Sequence, residues 1–410
     1  MRIAYICADR GIPVTGNSGS SIHVCELVKA LAGRGHEVTV FAADPGPAPG
    51  RCEPVSIIDL GDEPVLEELR ARIAKSLRES SRSSTPAFEL YNLSLNDVVS
   101  QELERTGPYD FVYERHSLWS FAGLRYSRRT RIPYLLEVNA PLLEQQQRYR
   151  ELAQTEAAQA IERLLLSHAD RVLVTTEALS EYVHEAGCTR RKIRVVRCGA
   201  PATGFAPISE RAGGDSEEFV IGFLGSLKPW HGLDTLLDAF KKLRAESEAY
   251  RLLIVGEGPM RVDIDAFRTS SGLEDGVEVV GGIAHEDVPA QLARMHVGTA
   301  PYPAMEPFYF SPLKVWEYAA AGVPIAASAV GDLPALWPHK RAAMLHPPGR
   351  SAKLAKHIRV LRERPSMAAR LAREARRTAR HYSWDRLAAR VESLAANVLS
   401  ESAGRTAAIE

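Results

Sequence analysis

Apolar and polar positions along this chain fall into two alternating repeats, short β-rich runs and longer stretches with helical spacing. Arg2 to Ala8 is a short apolar run that ends in the polar loop Asp9 to Ser20. An amphipathic helix is predicted over Ser21 to Arg34, and Gly35-His36 then leads into a second β-rich run, Glu37 to Ala42. A strand, loop, helix, strand order implies parallel strands. Further strands are predicted at Phe111 to Tyr113, Tyr134 to Glu137, Arg171 to Thr175 and Ile193 to Arg197, with helical stretches between them. Glu63 to Arg105 is charged, and Ser-rich around Ser76 to Thr85, which predicts helices joined by a mobile loop.

Patterning breaks at Cys198 to Asp215, where Gly, Ala and Pro replace periodic residues, as in a linker between domains. It restarts with strands at Phe219 to Leu224, Arg251 to Val255, Val277 to Val280, Gly298 to Ala300 and Val323 to Ser328. Helices are predicted between them at Leu233 to Leu243, Met260 to Thr269, Val288 to Met295 and Leu313 to Ala321. The fold class expected is therefore α/β, with two Rossmann-like doubly wound domains facing a central cleft. The divisions are 1–200 for the first domain, 201–216 for the linker, 217–385 for the second domain, and 386–410 for a C-terminal helix and tail.

Length agrees with that division, because 410 residues exceed what one hydrophobic core supports. With 45% hydrophobic and 25% charged residues the composition is that of a globular protein, and the 51 basic and 51 acidic residues cancel. That balance argues against a general nucleic-acid binder. The five cysteines form no CxxC pair and no zinc spacing, so they read as reduced, mostly buried thiols of a cytoplasmic protein. The N-terminal run lacks a cleavage site and reads as a first strand, and no stretch reaches the roughly 18 apolar residues of a membrane span. Lys353 to Arg380 carries ten basic residues against two Glu. That is either a solvated helical face or a surface for peripheral docking on an anionic membrane or substrate.

Candidate chemistry begins at Phe310-Ser311-Pro312-Leu313-Lys314-Val315-Trp316-Glu317. Ser311 suits an N-cap and Pro312 the first helical position, so a helix should begin here. Its free N–H groups and dipole favour a diphosphate, and Glu317, about one and a half turns on, is placed to accept from ribose hydroxyls. The alternative is an ordinary capped helix.

The wider chain resembles a retaining GT-B glycosyltransferase of family 4 (group 1) over nearly its whole length. The resemblance is carried, in order, by Gly16-Asn17-Ser18-Gly19, Gly35-His36-Glu37-Val38, Gly225-Ser226-Leu227-Lys228-Pro229-Trp230-His231-Gly232, Gly256-Glu257-Gly258-Pro259, Gly281-Gly282-Ile283, and the Glu317 helix with Gly322-Val323-Pro324-Ile325. It implies Glu317 on the ribose, the amides around Leu313 and Lys314 on the diphosphate, and Ile283 near the base. It also implies Gly16, Asn17 and Gly19 beside the phosphates and acceptor, and His116 on the donor sugar.

Two features depart from the family. Eight residues before Glu317, where a second glutamate is common, stands Tyr309; sugar contact then falls to Tyr309, Glu306 or loop amides, with Phe310 and Ser311 adjoining. The family's cationic positions for the diphosphate fall near Ser226 and His231, which leaves Lys228 as the nearest replacement. Asp263-Ile264-Asp265 spells a metal-binding pattern but sits in a predicted surface helix, so metal-independent transfer is expected. The catalytic set is therefore His116, Lys228 and Glu317. The resemblance implies transfer from a nucleotide diphosphate sugar, UDP or GDP more than others, to an acceptor hydroxyl with retention and no further cofactor. The acceptor region is expected at Glu137 to Gln147 and within Glu63 to Arg105. Rival readings are a nucleotide-sugar epimerase of the same architecture and a catalytically impaired binding subunit.

Overall fold

The computed structural model describes residues 1–61, 75, 85–201 and 218–407. The expected linker at 201–216 lies, apart from its first residue, outside the described residues, as do 62–74 and 76–84 of the Ser-rich region. The chain divides into two compact units. The first comprises Met1–Gly16, Ser20–Arg197 and Leu387–Glu410; the second comprises Asn17–Gly19 and Cys198–Arg386. Most of the C-terminal helix, Trp384–Ala407, is thus part of the first unit and not a separate tail.

The first unit is built on a seven-stranded sheet of order β3-β2-β1-β4-β5-β6-β7, with every pair parallel. Its strands are β1 (Arg2–Cys7), β2 (Glu37–Ala42), β3 (Ser56–Asp59), β4 (Phe111–Arg115), β5 (Tyr134–Val138), β6 (Arg171–Val174) and β7 (Ile193–Val195). All five residues of β4 and of β5 are buried, as expected for central parallel strands covered on both faces by helices. Strand order reverses between β1 and β4, and Ile3 pairs with Val38 on one side and Phe111 on the other. The carboxyl ends flanking that reversal are where doubly wound sheets present ligand sites.

The second unit repeats the plan with six parallel strands in the order β10-β9-β8-β11-β12-β13. These are β8 (Phe219–Leu224), β9 (Tyr250–Val255), β10 (Val277–Gly281), β11 (Val297–Ala300), β12 (Ile325–Ser328) and β13 (Met344–His346). The reversal here lies between β8 and β11, where Ile221 pairs with Leu252 and Val297. Two apolar cores cover the faces of this sheet, one centred on Trp316 and Trp337 and the other on Phe223 and Phe240. The basic stretch forms two helices, Ser351–Glu363 and Pro365–Arg380. Their apolar sides, including Leu354, Ile358, Leu371 and Ala375, are buried, and Lys353, Lys356, Arg370, Arg373, Arg377 and Arg380 are exposed. Among the described residues no helix is long and apolar enough to cross a membrane.

One expectation is corrected in the first unit. Cys25 and Cys52 form a disulfide with their Cα atoms 5.4 Å apart, while Cys7, Cys188 and Cys198 are buried thiols outside any disulfide. The two cysteines are 27 residues apart in sequence, and the first helix, Gly19–Gly33, and the turn after β2 bring them together. Sequence spacing carries no trace of that proximity. The argument for a reducing compartment therefore does not extend to this pair.

Candidate active site

Two places where strand order reverses hold the residues of interest, and each is built by the unit that contains it. In the second unit the segment after β11 runs through Tyr302, Phe308, Tyr309 and Phe310 to the helix Leu313–Ala321. Successive rings pack edge to face, Tyr302 on Phe308 at 5.1 Å and Phe308 on Phe310 at 5.5 Å, and Tyr309 lies 4.5 Å from Phe310. This aromatic ladder is a hydrophobic brace leading into the helix.

The helix has the expected bounds, Leu313–Ala321, but its cap falls one position later than expected. Pro312 has an extended ψ of 108° and occupies the cap position, with no side-chain hydrogen bond to the helix. Ser311 therefore precedes the cap position instead of filling it. The first amides, including those of Leu313 and Lys314, have no acceptor within the helix itself. Every residue from Lys314 to Ala321 is buried. Trp316 packs on Trp337 and Tyr382 at 4.9 and 5.0 Å, and the Tyr318 hydroxyl accepts from the Leu224 amide at 2.8 Å and donates to the Thr299 carbonyl at 3.2 Å. Those two bonds tie the helix to β8 and β11, on both sides of the reversal.

Glu317 is 6% exposed, and its Oε1 accepts a 2.8 Å hydrogen bond from Nε2 of His285. His285 opens a short 3-10 turn two residues beyond Ile283, which is partly buried against the Trp316 core. Sequence reasoning passed over His285. Its one signal was position, since it follows the Gly281-Gly282-Ile283 loop already assigned to the base.

Lys314 is 6% exposed, and its Nζ has no hydrogen-bond partner. The ammonium lies 3.9 Å from the centroid of the Phe223 ring and 5.5 Å from that of Tyr302. Burial pushes its pKa down to about 7, with the neighbouring Glu317 charge opposing that shift. Gly225, which follows β8 with φ at +123°, makes the space, because a Cβ there would sit 3.2 Å from Lys314 Cε and Nζ. His231 is anchored by its Nδ1 to the Ser226 carbonyl at 2.5 Å, and its ring is 5.8 Å from Tyr302. Burial, then the nearby Lys314 charge, depresses its pKa to about 3, so it is a neutral imidazole. Lys228 is only half-buried and lies 5.8 Å from the Trp230 ring. Ser226, Lys228, His231, Leu313, Lys314 and Glu317 are all placed in this unit.

In the first unit, His116 follows β4 and is held by its backbone N–H on the Glu137 carbonyl at 2.8 Å. It is 4% exposed, neither ring nitrogen has a hydrogen-bond partner, and burial lowers its pKa to about 4. Glu137, at the end of β5, bonds the His23 ring at 2.5 Å and lies 3.8 Å from the Arg115 guanidinium. Burial alone would raise the Glu137 carboxyl, yet His23 and Arg115 together hold it below the usual range. Glu137 thus has two buried counter-charges, although its Oε2 accepts no hydrogen bond, and Leu142–Tyr149 forms a separate partly exposed helix. Gly16 is packed against Pro13 and Ser21, where a Cβ would meet atoms of both at 3.0 Å. Asn17 to Gly19 group with the second unit.

Asp263 and Asp265 lie on the helix Arg261–Ser271, where Asp265 accepts from Arg261 at 2.8 Å and pairs with Arg268 at 3.4 Å. Among the described residues no group of three or more His, Cys, Asp or Glu is arranged to hold a metal ion.

The family model described as Glycosyl transferases group 1 matches residues 218–364, and that described as Glycosyl transferase 4-like domain matches residues 18–199. A D-inositol 3-phosphate glycosyltransferase from Jonesia denitrificans is 23% identical over 408 residues, covering 94% of each chain. Among solved structures, sucrose-phosphate synthase from Thermosynechococcus elongatus superposes with a TM-score of 0.73 at 21% identity, covering 98% of this chain and 99% of that one. The Anabaena protein HepE, solved in complex with UDP, gives 0.70 at 21% identity, with 98% and 100% covered.

Proposed function

Because this chain belongs to the group 1 glycosyltransferases, with the GT-B fold of two Rossmann-like domains, we propose that it moves a hexosyl group from a nucleoside diphosphate sugar to an acceptor hydroxyl with retention of anomeric configuration. The observation that carries the donor reading is the pairing of Glu317 with His285 beside a helix start that no side chain caps. A carboxylate fixed by one bond keeps a second oxygen for the ribose hydroxyls, and the amides of Leu313 and Lys314 face an anion without prior partners. UDP is the donor nucleotide we favour, with GDP second, since HepE is solved with UDP.

In the step proposed, the bond between the sugar's anomeric carbon and the diphosphate oxygen breaks as the acceptor oxygen bonds to the same face of that carbon. The acceptor's proton passes to a phosphate oxygen, so the departing diphosphate is both leaving group and base. No side-chain nucleophile enters. Positioning and electrostatic stabilisation do the work, and helix amides with a side-chain cation offset the charge on the diphosphate without a metal. In the first unit His116 is assigned to the sugar. Its two unpartnered buried nitrogens support that role, and its low pKa keeps it a neutral hydrogen-bonding group at physiological pH. The exposed arginines of Pro365–Arg380 suit peripheral contact with an anionic membrane face.

The reading is tested by titrating the full chain with a panel of nucleoside diphosphate sugars, followed by NMR of the product. Saturable binding of one donor and a product with the donor's anomeric configuration are expected. An inverted anomer would rule out retention, and binding by no donor would sink the donor assignment.

A further inference from the structure

A buried ammonium without a partner is a costly arrangement, and Lys314 is the only lysine in that condition among the described residues. Its surroundings offset that cost only in part, and no group in them accepts a hydrogen bond from it. Phe223 and Tyr302 offer ring faces, Gly225 offers a gap, and the carboxylate on its own helix, Glu317, is engaged by His285. The other titratable group turned toward it, His231, is uncharged. Lys314 also sits in the first turn of a nine-residue helix whose cap position contributes no side-chain bond. Helix amides and a lone cation at one place suit an anion with several oxygens.

We propose that the Lys314 ammonium is the side-chain cation that meets the donor's diphosphate, and that it takes up a proton from solvent as the diphosphate binds. This deepens the donor reading above and rests on it. Before binding, the buried amine is partly neutral at physiological pH. A diphosphate beside it favours the charged form, so binding and protonation are linked. The proton adds to the amine lone pair, water or buffer gives it up, and no covalent bond to the nucleotide forms. The half-buried Lys228, beside Trp230, is left with at most a secondary share.

The test is calorimetric titration of the full chain with UDP at pH 8 in two buffers of different ionisation enthalpy, with uridine as control. The intact protein is expected to take up close to one proton per UDP bound and none per uridine. Lys314→Met should lose about 10- to 100-fold in UDP affinity, the scale of one charge-assisted hydrogen bond, with uridine affinity unchanged and proton uptake abolished. Lys314→Arg should retain UDP affinity while also abolishing uptake, since guanidinium is always charged. Unchanged UDP affinity in folded Lys314→Met, or no proton uptake by the intact protein, overturns the inference while leaving the donor reading in place. Failure of the intact protein to bind UDP, GDP or uridine overturns both. If Lys314→Met does not fold, the proton count on the intact protein and on Lys314→Arg decides.

Discussion

Glu137 in the first unit and Lys314 in the second are both buried ionisable groups near the carboxyl ends of parallel strands, but their charges are handled in opposite ways. Glu137 has His23 and Arg115 as buried counter-charges, and its pKa is held down. Lys314 has only aromatic faces and a carboxylate that another residue already engages, and its pKa falls toward neutrality. A charge satisfied within the protein acts as structure. A charge left unsatisfied at a helix start is a place for a ligand.

The comparison breaks most directly at Glu137. Replacing it by Ala strands Arg115 and His23 in the interior, and a loss of about 3–5 kcal/mol in the stability of the first unit is expected by chemical denaturation. Unchanged stability would mean that the ion pair is not structural. Glu317→Ala should act on function instead, costing about 10- to 100-fold in UDP affinity with the circular dichroism spectrum retained. Equal affinity in variant and parent would contradict the ribose role.

Proton linkage separates the two groups by pH window, since both pKa values are lowered and each makes stability rise with pH, Lys314 above neutrality and Glu137 in the acid range. The Lys314 pKa is lowered to about 7 in the fold from 10.5 when unfolded, so between those values the unfolded chain binds the extra proton. Its contribution therefore makes the protein more stable as pH rises from 7 toward 10, by up to about 1.4 kcal/mol per pH unit. Glu137 is depressed, so its contribution is present above the ordinary carboxylate range and is lost on acidification. Comparing parent and Lys314→Met from pH 7 to 9 isolates the first effect; parallel stability curves would refute it. The smallest effect is expected at Asp263→Asn, on an exposed helix face, with stability changed by no more than about 0.5 kcal/mol. Chelation by EDTA should leave turnover unaltered, and loss of turnover on chelation would reopen the metal question.

Much of the fold was readable because both sheets are wound from apolar runs separated by helical spacing. β2 and β8, and the helix Leu313–Ala321, have the predicted bounds. β3 and β13, four and three residues long, were missed. In the site, Glu317 and the helix start were legible from a local motif. His285 was not, because its role depends on a residue 32 positions away. The cap was read one residue early, since Ser311 and Pro312 are both good starting residues and only the backbone angles of Pro312 decide between them.

By itself, then, the sequence determined what local chemistry determines: the alternation that makes two parallel sheets, the glycines that permit close loops, and a helix with an acid one and a half turns from its start. Tertiary structure decided which charges find partners. Cys25 meets Cys52, Glu137 meets His23, and the Lys314 ammonium meets no hydrogen-bond acceptor, because each outcome depends on distances between segments that sequence order does not specify. The side chain read from sequence as one residue near some helix amides is, once folded, a buried cation beside Phe223 and Gly225. Burial in a low-dielectric surround, a property no single segment possesses, gives that residue its chemistry.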